Sequence, residues 1–140
     1  MKTSFVPEAL RDPAGNPPYS LACVPPPDAR VLPPFAGSIA PGDVSLADEV
    51  TAVLAKVFAN VRAAGFTPDD IVFMTIIVGA DLSLHDPEVV TTVNAAYVSA
   101  FKEAGVTTTL ESVLPCRAAF ASPTLMAKAR FEAVPIVVAL

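Results

Sequence analysis

Two cysteines, one histidine and no tryptophan occur in 140 residues, and each shortage removes a class of chemistry. Cys23 and Cys116 are too few for a disulfide framework or a four-ligand zinc set, so both are expected to be reduced and no metal is expected. His85 alone leaves little for a histidine-based triad. It lies in "SLHDPE", just ahead of a predicted helix, where a surface or local capping role is the plain expectation. Long apolar runs are missing too. "IVFMTIIVGA" is too short to cross a bilayer, so no membrane partner is expected. The opening "MKTSFVPEALRDPAG" lacks the apolar core of a signal peptide, which makes the cytoplasm the default compartment. Basic charge is also scarce. Nine Lys and Arg residues are scattered through a chain of formal charge −5. No clustered stripe is available for nucleic acid, and none is expected as a partner.

Apolar residues, by contrast, make up 53% of the chain, and mean hydropathy is positive at +0.55. A chain of this size supports one domain, residues 1–140. So much apolar sequence in so small a domain points to burial between subunits. Proline is abundant as well, with eight in residues 13–34.

Residues 1–16 read as irregular. "PPYSLACV" reads as a first strand, and "PPPDAR" as a stiff loop in which each proline fixes φ and removes a donor. "VLPPFAGSIAP" reads as a second strand, but Pro33 and Pro34 fit an edge position or a bulge rather than a central, fully paired strand. Ser45 caps a helix with Asp48 three positions on, a variant of the capping box. Leu46, Val50, Val53, Leu54, Val57, Phe58 and Val61 recur at helical spacing along it, and Gly65 ends it. "DDIVFMTIIVGAD" follows as a buried strand. Asp86-Pro87-Glu88 opens a second helix with proline at its first position. Val89, Val90, Val93, Tyr97 and Phe101 form its apolar side, and Gly105 stops it. "VTTTLESVL" reads as a loop or short strand. "CRAAFAS" and "AKARFEA" then flank a turn at "SPTLM". A hairpin there would set Arg117 opposite Glu132 and put Lys128, Arg130 and Glu132 on one face. The order ββ-α-β-α-ββ gives an α+β fold, with two helices covering one face of a sheet. The other sheet face is then left for a second chain.

Arg117 and Glu132 are charged residues in apolar surroundings. One reading is a cross-strand ion pair, worth roughly 0.2–1 kcal/mol. Another is a site: a guanidinium holds a carboxylate in a planar fork, and a nearby carboxylate moves protons.

Four segments together resemble the RidA/YjgF/YER057c/UK114 (Rid) superfamily, over about residues 17–138. "PPYS" is similar to its Gly-Pro-Tyr-Ser, and "FAGSIAP" to its Ser-Gly-Gln-Ile-Pro. "VVTTVNAAYVSAF" is similar to its Val-Asn-x-x-Tyr-x-x-Phe helix. "PCRAAF" is similar to its Pro-x-Arg-Ser/Ala signature, with the glutamate following at the family's spacing. The chain departs at Pro17, Ala36 and Ser38, and its loops at 23–35, 81–88 and 102–115 look extended. Loops of this kind set substrate choice.

The resemblance implies a chorismate-mutase-like (YjgF) fold with a mixed sheet, a homotrimer, and active sites in the clefts between subunits. It implies hydrolysis of carboxylate-bearing enamines and imines of the 2-aminoacrylate type to 2-keto acids and ammonia, with no cofactor. Arg117 matches the carboxylate anchor and Glu132 the acid that positions or activates water. Tyr19, Gly37 and Asn94 match substrate-binding positions, and Ser38 and Cys116 are expected to bind substrate beside them, with Arg117. Cys116 has the alternative of a small buried residue, and Gly37 that of a bulge. Two other functions stay open: a diverged pathway enzyme that deaminates, cyclises, condenses or tautomerises a dedicated intermediate, and a non-enzymatic module that binds small carboxylates.

Overall fold

A computed structural model describes residues 3–5, 22–24, 27–31, 35–79, 81–106 and 114–139. Strands β1 (Thr3–Phe5) and β2 (Ala22–Val24) pair antiparallel as a separate ribbon. The expectation of an irregular segment 1–16 is thereby corrected at Thr3–Phe5. Three residues carry no readable alternation, and a pairing partner some twenty positions away decides their state. The predicted second strand is two short ones, β3 (Arg30–Val31) and β4 (Ser38–Ile39).

Helix α1 spans Leu46–Ala63, and the Ser45 hydroxyl accepts from the Asp48 amide at 3.1 Å. Helix α2 spans Pro87–Glu103, with the Asp86 carboxylate accepting from the Glu88 amide at 2.9 Å. Both helices end alike. Gly65 at φ +88° donates to Arg62, and the Phe66 amide returns to Val61. Gly105 at φ +92° donates to Lys102, and the Val106 amide returns to Phe101. This paired closure requires a left-handed residue just past the helix, which glycine adopts without penalty. His85 is exposed, and its amide donates to the Ser83 hydroxyl.

The main sheet contains β5 (Ile71–Gly79), β6 (Cys116–Ser122) and β7 (Phe131–Ala139) with β3 and β4. Its order is β3-β7-β5-β6, and β4 also pairs with β7. Strand β6 runs parallel to β5, whereas β7 runs antiparallel to it, so the sheet is mixed. The fold is α+β, with both helices on one face. Val50, Val53, Leu54, Val57 and Val61 of α1 and Tyr97 and Phe101 of α2 bury against Met74, Ile76, Val78, Phe131, Ala133 and Val137. Phe101 meets Phe58 edge to face at 4.8 Å.

The hairpin expected between β6 and β7 does not form, because β5 lies between them. The turn signal at 122–124 was sound, but a turn dictates only where the chain reverses. The nine-residue apolar β5 pairs with both candidates along nearly its whole length and takes the central place. The connection must then cross the end of β5. It does so at Gly79, whose amide donates to the Arg130 carbonyl at 2.9 Å. A Cβ there would stand 3.3 Å from both the Ala129 carbonyl oxygen and the Arg130 Cα, so the glycine lets the crossing chain pass close.

Candidate active site

Strand pairing places the two charged residues. Arg117 pairs with Met74 and Glu132 with Ile77. Paired residues share a face, and faces alternate along a strand. Positions 74 and 77 differ by an odd number, so Arg117 and Glu132 lie on opposite faces of the sheet. They are also two strands and three residues apart, roughly 14 Å along the sheet by standard strand spacings. The expectation that they stand opposite each other in one chain is corrected, for the reason that removed the hairpin.

Arg117 is half-buried on the helix-covered face, on the outer strand β6. Its Nη2 donates to Asn94 Oδ1 of α2. Its guanidinium carbon lies 4.9 Å from the centre of the buried Tyr97 ring. Tyr97 in turn packs on Phe101 at 4.8 Å. Asn94 and Tyr97 stand three positions apart, one above the other on the same side of α2. One helix face therefore supplies both an acceptor and an aromatic platform, and the guanidinium is held in a set orientation. Asn94 was expected in the site. Tyr97 is core, as its place on the apolar side of α2 predicts, but its ring also carries the arginine.

Glu132 is half-buried on the face away from the helices, with Ile77 and Val134. It pairs with Ile39 on its other side. A methyl group built at Gly37 would overlap Glu132 Oε1 and lie 3.0 Å from its Cδ and 3.2 Å from Val134 Cγ2. Gly37 therefore leaves room for the carboxylate. Ser38, its neighbour, is buried and pairs with Ala133 on the helix side. Cys116 is half-buried and pairs with Phe73, on the face opposite to Arg117. Tyr19 lies outside the described residues.

The sequence reading missed a buried ion pair. Glu49 of α1 is 0% exposed, and its Oε2 accepts from Arg130 Nε at 2.8 Å. Its Oε1 accepts from the amides of Arg130 at 2.6 Å and Phe131 at 3.2 Å. Arg130 thus faces α1 and does not share a face with Lys128 and Glu132 as expected. Two-residue alternation holds only inside a strand, and β7 begins at Phe131. The preceding Ala127 and Lys128 have positive φ, 54° and 58°. The signal that could have found the pair was Glu49 itself, which falls beside Val50 and Val53 on the apolar stripe.

Among the described residues no helix is long and apolar enough to cross a membrane. No protein-family model and no curated protein matches the sequence. Solved structures do match. A Rid family protein of unknown function from Yersinia pestis, YyfB, superposes with a TM-score of 0.71 at 18% identity over 97% of each chain. TdcF of E. coli, solved with bound serine, gives 0.62 at 21% identity over 99% of this chain and 100% of its own. The YjgF gene product of E. coli gives 0.60 at 25% identity over 99% of each chain. With the strand order, the two helices on one face and the ordered motifs already described, these superpositions identify the chain's fold, over nearly its full length, as that of the RidA/YjgF/YER057c/UK114 superfamily.

Proposed function

We propose that this protein hydrolyses small carboxylate-bearing imines and enamines to 2-keto acids and ammonia, in sites shared between copies of a cytoplasmic homotrimer. The observation that carries the reading is the orientation of Arg117, held by Asn94 and Tyr97 while half exposed on an outer strand. That is the arrangement needed to grip a carboxylate in a fixed pose. The superposition on a protein solved with serine, an amino acid that carries such a carboxylate, supports the choice of ligand.

The geometry supports a second copy. Arg117 and Glu132 lie on opposite faces of one sheet, so a substrate that touches both must lie between two chains. Strand β6 supplies a suitable contact. Ala118, Ala119, Phe120 and Ala121 are all exposed on this outer strand, Phe120 by 50%. An exposed apolar edge of that length calls for cover.

The reaction then runs without a cofactor. An enamine first takes a proton on its methylene carbon and becomes the protonated imine. Arg117 holds the substrate carboxylate beside the imine carbon. Glu132 of the neighbouring copy takes a proton from water as the oxygen bonds to that carbon and the C=N electrons move to nitrogen. That proton passes to the amine nitrogen; the C–N bond then breaks, ammonia leaves with the bonding electron pair, and the hydroxyl oxygen gives up its proton to Glu132 as the carbonyl forms.

The test couples a serine or threonine dehydratase, as the imine source, to wild-type protein and to Arg117→Ala, and follows pyruvate or 2-ketobutyrate. Wild-type protein is expected to accelerate release. Arg117→Ala is expected to lower kcat/KM about 10- to 100-fold, as for loss of hydrogen bonds to a charged group. Unchanged turnover in Arg117→Ala overturns the assignment. Binding of keto acids with no acceleration by wild-type protein would leave the carboxylate-binding module in its place.

A further inference from the structure

We propose that Glu49 is a positioning residue for Glu132, setting where the Glu132 carboxylate stands by fixing the start of β7. The catalytic part of this inference rests on the imine-hydrolase reading. The geometric part does not.

A fully buried carboxylate is costly unless each oxygen is satisfied. At Glu49 three donors do this: the Arg130 amide, the Phe131 amide and Arg130 Nε, at 2.6, 3.2 and 2.8 Å. All three belong to the two residues just before Glu132. Arg130 also reaches the Val44 carbonyl through Nη2 at 2.5 Å. The turn ahead of it, Met126–Lys128, contains two successive non-glycine residues in the left-handed region. Such backbone persists only where its surroundings enforce it. Here they do. A Cβ at Gly42 would come within 2.6 Å of the Lys128 carbonyl oxygen, so the strained turn lies directly on the loop before α1. Residues 126–131 are thereby held on residues 42–49 from both ends.

A well-packed apolar pair often stabilises a fold as well as a buried ion pair does. What the ion pair adds is a defined position, because its hydrogen bonds are directional. That position passes to Glu132 at once. It is the second residue of β7, and its carboxylate has to clear Gly37, next to β4. Strand β4 pairs with β7 only at Ala133 and Glu132, so a shift at the start of β7 moves the carboxylate relative to Gly37. A misplacement of about 1 Å in a site can cost on the order of 10²-fold in rate.

The experiment compares wild type, Glu49→Gln, Glu132→Gln and the double variant, after circular dichroism and oligomer size confirm folding. Glu49→Gln keeps an oxygen for the two amides but loses the ion pair. It is expected to lower kcat about tenfold with KM within about twofold. In the Glu132→Gln background it is expected to do nothing further, because the group it positions is already gone. The same tenfold loss in both backgrounds would mean a merely structural role and overturn the proposal. A second readout is independent of turnover: the 13C signal of the Glu132 carboxyl and the exchange of the Phe131 and Glu132 amides. Glu49→Gln is expected to shift that signal and speed that exchange. Both unchanged would overturn the proposal, even in a protein that hydrolyses no imine. Should Glu49→Gln not fold, Arg130→Gln takes its place, with the same expectations and the same contrary results.

Discussion

Glu132→Gln is expected to lower kcat for imine hydrolysis by about 10²–10⁴-fold, the usual contribution of a positioned general acid–base group. The substitution keeps the shape of the side chain and removes its ability to take a proton. It should leave the fold intact, because Glu132 makes no ion pair among the described residues. Its backbone stays within β7, paired with Ile77 and Ile39. KM should change little, since in the proposed reaction the carboxylate is gripped by Arg117. Stopped-flow or coupled assays that separate kcat from KM read this directly. A Glu132→Gln enzyme with wild-type kcat would remove the glutamate from the chemistry.

Gly37→Ala is expected to produce a comparable loss of activity by displacing the same carboxylate rather than deleting it. The added methyl would overlap Glu132 Oε1 and press on Val134 Cγ2 at 3.2 Å. The end of the glutamate side chain can swing away, whereas a β-branched valine in a strand has little freedom. So the carboxylate moves and the strand strains. Overpacking of this kind typically costs about 1–3 kcal/mol, which a denaturant titration would register. The double variant Gly37→Ala/Glu132→Gln should be no slower than Glu132→Gln. If Gly37→Ala keeps full activity, the carboxylate does not need its place over the glycine.

How much of this was legible in the sequence depends on how local the cause was. The stripe on α1, its Ser45 cap and its Gly65 end are local and stood as read. So did β5, whose nine residues are almost all apolar. The partners of β6 and β7 were not local. Ser122, Pro123 and Thr124 announce a reversal, but which strand the chain returns beside is decided by β5, which pairs with both β6 and β7. The Glu49–Arg130 pair joins positions 81 apart, and a glutamate in a first helical turn ordinarily reads as a partner of the helix dipole. The motif resemblance implied only that Asn94 lies near the site; its bond to Arg117 needed the fold. The Tyr97 platform beneath the guanidinium needed the parallel register of β5 and β6, which no spacing within α2 reveals.

The claim at the centre is that the site belongs to two chains, with Arg117 from one and Glu132 from the next. Subunit complementation tests it most directly. Arg117→Ala and Glu132→Gln, each at or below about a tenth of wild-type activity alone, are unfolded together, refolded as a mixture, and shown by differential tags to co-assemble. In a randomly mixed trimer about a quarter of the sites receive an intact arginine from one subunit and an intact glutamate from another. Recovery of keto-acid release to about that fraction of wild type is the expected result. Co-assembled mixtures that stay as slow as their parents would contradict a site shared between chains.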